Sequence, residues 1–371
     1  MAAFQTYPMK TTIFQGLKLA LAISALFASC KRETSPPDAL GTGANAQAFS
    51  VAAGTFQNPV IPASQNPKDP QIMRGADNNF YLFHPNGANY KVFSSPDLVN
   101  WTAVTNSCFS KPTGSFWSAG TFRAGGKYLL YYTHVKGANN RTIGVASADA
   151  PGGPYQDANA SLVVKQKANG EYTPVIDPSV FQDPADGKVY LFYARNVGQG
   201  ADQLPDLRVV QLTADGLNTI AGTDQPVLTI SQAWENINIE HPLVYYAPNA
   251  AASRRYYMLY NGSGGALARY AIGYAYSSSP AGPFTKAAEG STPGLNPLVR
   301  QDPAKGIYGP GSPNTVVDDA GVRWLIYRIK TTAGESWSDR AVCVDELFRN
   351  SSDQLIVTPT KGTTQNAPFF N

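Results

Sequence analysis

Charge is scarce in this chain: only 15% of its 371 residues are Asp, Glu, Lys or Arg, against roughly 25% in ordinary soluble domains. The Lys and Arg residues are scattered, no basic run occurs and the net charge is +3, so the electrostatic footprint of a nucleic-acid partner is missing. Cysteine and histidine are nearly absent, with three of each, and no CxxC or Cys/His cluster occurs. That excludes a disulfide scaffold and gives no zinc site. No stretch sustains a helical period. What the chain has in plenty is Gly (33), Pro (28) and Tyr (20), which suits turns and strands and points to an all-β fold.

The N-terminus reads as an address. Lys10 and Lys18 precede an apolar run from Leu19 to Phe27 and then Ala28-Ser29-Cys30, the layout of an export signal. The run is too short to span a bilayer as a mature helix. Cys30 after Phe-Ala-Ser resembles the lipobox of bacterial lipoproteins, with Phe27 where Leu is usual. The expectation is a signal peptide over residues 1–29, a lipidated Cys30 with a Ser-, Pro-, Ala- and Gly-rich tether over 30–54, and one catalytic domain over 55–371. The alternative is an ordinary cleaved signal with an incidental cysteine. The protein would be exported and held to a bacterial membrane by its lipid alone.

Five segments of the body share one grammar: a polar or small residue beside Pro or Gly, an apolar strand, a turn, then an aromatic-rich strand. They open at Asp69-Pro70, Trp117-Ser118, Asp177-Pro178, Glu240-His241-Pro242 and Gly309-Pro310-Gly311, and continue into runs such as Phe80-Tyr81-Leu82-Phe83 and Tyr128-Leu129-Leu130-Tyr131-Tyr132. Hairpin signals such as Gly125-Gly126-Lys127 and Asp186-Gly187-Lys188 join the strands. Ile143 to Ser147 before Pro151-Gly152-Gly153-Pro154, and Ile272 to Ser277 before Pro280-Ala281-Gly282-Pro283, read as the same third strand and turn in different units. Five units of about 63 residues predict a five-bladed β-propeller. A β-sandwich would not need five such restarts. Cys108 and Cys343 read as buried free thiols, or as a pair if the first and last blades abut.

In a propeller the innermost strands line the axis, and ligands bind at the mouth where those strands begin. The expected openings are then Asp69, Trp117, Asp177, Glu240 and Gly309. Three carboxylates on one mouth suggest acid/base chemistry or a metal, because unpaired buried charge is costly. Hydrolysis of a glycosidic bond needs one carboxylic acid to protonate the leaving oxygen and one carboxylate to activate water or attack carbon. A third acid can tune the first.

At these residues the chain resembles glycoside hydrolase family 43. The likeness covers nearly the whole body: Lys68-Asp69-Pro70, the stretch Ser94 to Trp101, Trp117-Ser118-Ala119, Ile176-Asp177-Pro178-Ser179 with its Asp-Gly-Lys hairpin, Glu240-His241-Pro242 and Gly309-Pro310-Gly311. The resemblance implies Asp69 as general base, Asp177 as tuner and Glu240 as general acid, with inversion at the anomeric carbon. It also implies a pentosyl substrate, α-L-arabinofuranosyl or β-D-xylosyl, and no cofactor. Ser312 stands where the family often has a His that helps to hold a central cation, so no metal is expected. Invertase-like and levansucrase-like families share the fold and retain configuration, but their signatures are replaced here, which makes a fructan or sucrose hydrolase the lesser reading. A non-catalytic glycan-binding lipoprotein is the non-enzyme reading.

Trp117 is expected as a platform for a sugar face, and His241 as support for Glu240 or blade packing. Arg328 is expected to bind a sugar hydroxyl or to sit in a surface or interblade ion pair. His84 and His134 read as structural or rim residues, and Asp97, Asp183 and Asp318 as turn aspartates. Specificity is assigned to loops such as 196–207 and 262–269.

Overall fold

The computed structural model describes residues 54–137, 139–166, 168–195 and 205–371. The export segment, Cys30, the tether up to residue 53 and the 196–204 part of the first specificity loop lie outside them.

A short strand β1 (Thr55–Gln57) precedes five antiparallel sheets of four strands, each a meander in chain order. Blade I holds β2 (Gln71–Arg74), β3 (Phe80–Asn86), β4 (Asn89–Ser95) and β5 (Thr102–Ser110). Blade II holds β6 (Ser115–Ala124), β7 (Lys127–Val135), β8 (Arg141–Ala148) and β9 (Gln156–Val163). A small hairpin, β10 (Lys165–Gln166) and β11 (Tyr172–Thr173), leads to blade III with β12 (Val175–Gln182), β13 (Val189–Arg195), β14 (Asp206–Leu212) and β15 (Gln225–Thr229). Blade IV holds β16 (Ile239–Tyr246), β17 (Tyr256–Gly262), β18 (Ala271–Ser277) and β19 (Thr285–Lys286). Blade V holds β20 (Tyr308–Val317), β21 (Arg323–Lys330), β22 (Arg340–Arg349) and β23 (Leu355–Val357), followed by β24 (Thr364–Asn366).

The first strands β2, β6, β12, β16 and β20 each touch the next, and β20 returns to β2, so five blades close around an axis. The expected five-bladed propeller is what forms, with each aromatic run as the second strand of its blade. The two look-alike segments are β8 and β18, the third strands of blades II and IV.

Alternation along the second strands explains their composition. In β7, Leu129 and Tyr131 pack toward blade III while Leu130 and Tyr132 pack toward blade I. In β17, Tyr257 and Leu259 face blade V, and Tyr256, Met258 and Tyr260 face blade III. A strand covered on both faces needs apolar side chains at every position rather than every second one. The core is therefore five clusters, one at each blade junction. Cys108 and Cys343 are buried and unpaired.

Candidate active site

Four of the five inner strands break their pairing register near their start. The breaks fall between Phe116 and Ala119, Ile176 and Ser179, Glu240 and Leu243, and Gly311 and Asn314. In three of these the bulge holds an X-Pro pair, Asp177-Pro178, His241-Pro242 and Ser312-Pro313, and in blade I Asp69-Pro70 stands just before β2. The four residues preceding proline have left-handed backbones, with φ of 39° at Asp69, 58° at Asp177, 51° at His241 and 53° at Ser312. Each costs on the order of 1–3 kcal/mol for a residue with a Cβ, and its recurrence around the ring turns the side chains into the axis.

This ring corrects the register expected from sequence. A narrow axial pocket is lined by Asp69, Ser118, Asp177, His241 and Ser312 with their neighbouring residues. The equivalents in blades II, IV and V are thus Ser118, His241 and Ser312, not Trp117, Glu240 and Gly309. Trp117 and Glu240 stand one residue earlier, and a shift of one residue in a strand changes the direction of the side chain.

Hydrogen bonds knit the ring together. Asp177 accepts the Ser118 hydroxyl through Oδ1 and the His241 backbone N–H through Oδ2 at 3.2 Å. The Ser312 hydroxyl donates to Asp69 Oδ1 at 3.2 Å. His241 Nε2 lies 3.5 Å from Asp177 Oδ2 and 3.7 Å from Asp69 Oδ1. His241 therefore faces the two aspartates. Burial lowers its pKa to about 4, against the pull of Asp69, so the imidazole is neutral at pH 7.

Glu240 sits beside this ring. The Tyr270 hydroxyl donates to its Oε1 at 2.5 Å and the Asn238 amide to its Oε2 at 2.7 Å. One donor atom each of Asp177, Glu240 and His241 lie within 4.8 Å of one another, close enough to hold a metal ion by distance. Both carboxylates of that set accept two hydrogen bonds each.

Three arginines surround the acids. Arg328 Nε lies 3.8 Å and Arg340 Nη1 3.6 Å from Asp69 Oδ1. Both guanidinium groups are fully enclosed, held by the Gly309 carbonyl (Arg328 Nη1, 2.8 Å) and the Gly265 carbonyl (3.1 Å from Nη2 of each). Arg328 is thus an inner residue rather than a surface one. Arg141 stacks on Trp117, 4.4 Å from the ring centroid, and its charge is felt by Asp177 and Glu240. Trp117 is half-buried, with Arg141 over one face.

These surroundings split the protonation states. Burial alone would raise Asp69, but Arg340, His241, Arg328 and the Ser312 hydrogen bond outweigh it and hold the carboxyl at about 2. Because His241 is neutral at pH 7, the arginines carry that effect there. Burial, and then Glu240, push Asp177 well up. Burial raises Glu240 as well; Asp69 adds to this, while Tyr270, Arg328 and Asn238 oppose it. The arrangement pairs a carboxylate held low, the most accessible of the three with its side chain 18% exposed, with partners pushed toward their protonated forms.

Asp69, Asp177, Glu240, His241 and Arg328 are brought together, with Trp117 at the rim. His84 and His134 are buried and lie outside this set; Asp97, Asp183 and Asp318 cap turns through backbone N–H groups. The sequence reading missed Ser118, Arg141, Asn238, Tyr270 and Arg340. One signal was available: in a meander the third strands begin at the same mouth as the first, and Arg141 and Arg340 open β8 and β22 while Tyr270 directly precedes β18.

Comparison with known proteins agrees with this geometry. The family model described as glycosyl hydrolases family 43 matches residues 56–350. An extracellular endo-alpha-(1->5)-L-arabinanase 2 of Bacillus subtilis is 27% identical over 270 residues, covering 64% of this chain and 53% of that protein. An arabinoxylan arabinofuranohydrolase of the same organism is 30% identical over 224 residues, covering 52% of this chain and 40% of its own length. The match thus spans about half or less of these relatives. A crystal structure of a thermostable family-43 glycoside hydrolase superposes with a TM-score of 0.73 at 26% identity, covering 85% of this chain and all of that one. This chain belongs to the glycosyl hydrolases of family 43.

Proposed function

We propose that the protein is an inverting glycosidase that releases pentosyl units, α-L-arabinofuranosyl first and β-D-xylosyl second, from plant-type polysaccharides or their fragments. The observation that carries this is the split between two carboxylates on one mouth, Asp69 held ionised beside two buried arginines and Glu240 pushed toward its protonated form. Glu240 gives its proton to the leaving oxygen as the glycosidic bond breaks. Asp69 takes a proton from the water that attacks the anomeric carbon from the opposite face. Asp177 stays close to Glu240, and two buried carboxyls so near each other cannot both ionise easily, which favours a proton on the pair. The arabinanase and arabinofuranohydrolase relatives support the arabinofuranosyl assignment. Trp117 and Arg328 then contact the sugar, while His241 aligns Asp69 and Asp177.

The test is an assay on aryl α-L-arabinofuranoside, aryl β-xyloside, arabinan and sucrose, with the anomer of the fresh product read by NMR. Glu240→Gln and Asp69→Asn should each lose roughly 10²–10⁴-fold in rate, and the product should appear inverted. Equal activity of Glu240→Gln and wild type would remove Glu240 as the acid. Retention, with sucrose as the best substrate, would favour the fructan reading instead. For location, we propose export and anchoring through Cys30. Palmitate labelling of the expressed full chain should be present in wild type and lost in Cys30→Ser.

A further inference from the structure

Trp337 is the most exposed aromatic side chain among the described large hydrophobic residues, at 59%. An exposed indole is ordinary when its loop is loose. This loop is not. It joins β21 to β22, and its two ends are tied by Thr331 N–H to the Asp339 carbonyl at 3.1 Å, Thr332 N–H to Asp339 Oδ2 at 3.0 Å and the buried Lys330 ammonium to Asp339 Oδ1 at 3.3 Å. Its tip is fixed to the neighbouring blade by Ser336 N–H donating to the Ala266 carbonyl at 3.2 Å.

The indole is seated above the arginines that face Asp69. The Arg340 guanidinium lies 4.9 Å from the Trp337 centroid, and the same guanidinium reaches Asp69 at 3.6 Å. Gly265 fits between Trp337 and Arg328: a Cβ there would come within 3.3 Å of the indole and 3.4 Å of Arg328 Nη2. Asp69, Arg340 and Trp337 therefore form three successive layers from the pocket outward, Asp69 open to the pocket, Arg340 enclosed and Trp337 open to solvent. Arg340 Nη1 and Arg328 Nε face Asp69 at 3.6 and 3.8 Å, so Arg340 is held against the acid beneath the indole while the outer face of the indole stays open. A sugar ring presents an apolar C–H face that suits an open indole.

We propose that Trp337 is the platform of a second sugar subsite, one layer out from the unit that is cleaved, so that the enzyme reads at least two linked sugars. The inference rests on the glycosidase reading above and adds the length of substrate that the mouth recognises. A single sugar seated at Asp69 and Glu240 fills the inner layer, with Arg340 between it and the indole. A linked neighbour rises to the rim and meets Trp337.

The experiment compares kcat/KM on a trisaccharide with kcat/KM on the methyl glycoside of the same sugar, using arabinotriose with methyl α-L-arabinofuranoside and xylotriose with methyl β-D-xyloside. The ratio of the two is the readout, which cancels any general loss of folded protein. Trp337→Ala should lower the ratio roughly tenfold, equivalent to about 1.4 kcal/mol. Trp337→Phe should restore most of it, and the loss should lie in KM rather than kcat. An unchanged ratio in Trp337→Ala, with wild type active on the trisaccharide, overturns the subsite and leaves the glycosidase reading standing. A wild-type protein that cleaves neither series overturns both.

Discussion

Asp69 faces two guanidinium groups within 4 Å, and Glu240 accepts a tyrosine hydroxyl; in the proposed mechanism, with Asp69 as base and Glu240 as acid, these neighbours set opposite edges of the pH profile. The base works only when ionised, so activity falls as pH drops through the pKa of Asp69, which lies near 2. Arg340 is the largest influence holding that value down against burial. Arg340→Met should therefore move the acid limb of kcat/KM to higher pH. The acid works only when protonated, so activity falls as pH rises through the pKa of Glu240. The Tyr270 hydrogen bond favours its ionised form, and Tyr270→Phe should move the alkaline limb to higher pH while leaving the acid limb in place. A pH–rate series on the two variants checks both signs; an acid limb that stays in Arg340→Met, or an alkaline limb that stays while the acid limb moves in Tyr270→Phe, would refute the assignment of Asp69 as base and Glu240 as acid.

At the scale of the element, the second strands were the most legible part of the fold. Runs such as Tyr128 to Tyr132 are apolar at every position because each face meets a different blade, and nothing else in a chain of this composition asks for five of them. The first strands were legible as restarts but not in register. A bulge gives two residues where its partner strand has one, and the eye aligns acids with acids, so Glu240 was set level with Asp177 when His241 occupies that place. Recurrence of X-Pro was the better guide, since Asp69-Pro70, Asp177-Pro178, His241-Pro242 and Ser312-Pro313 all carry the left-handed turn. The arginines were not legible for a different reason. Arg328 lies near the end of a second strand and Arg340 at the start of a third, and which strand ends converge on the mouth depends on meander direction and blade closure rather than on any local pattern.

For the whole molecule the decisive place is the seam where the ring closes. β1 pairs with β24, and the segment after β1 runs along β22 of blade V, with Val60 N–H donating to the Val342 carbonyl at 2.8 Å and Val342 N–H to the Ile61 carbonyl at 3.0 Å. Asn58 imitates a strand there: its amide donates to the Val344 carbonyl and its Oδ1 accepts the Val344 N–H, both at 2.8 Å. The same seam divides the site, since Asp69 belongs to blade I and both its arginines to blade V. Asn58→Ala leaves the buried Val344 N–H without its acceptor, while Gln365 Nε2 still donates to the Val344 carbonyl at 3.0 Å, and should cost roughly 1–3 kcal/mol. By loosening the approach of blade V to blade I it should also weaken the hold on Asp69 and raise the acid limb. Gly120→Ala is the matched control at another junction: a Cβ on Gly120 of blade II would meet the Pro178 carbonyl of blade III at 2.5 Å, an overpacking worth roughly 1–3 kcal/mol. Thermal melts should show both variants less stable than wild type, but the pH profiles should differ, with the acid limb moving in Asn58→Ala and staying in Gly120→Ala. If both variants move it alike, the limb follows general loosening of the ring. If neither does, closure of the seam has no part in holding Asp69 ionised.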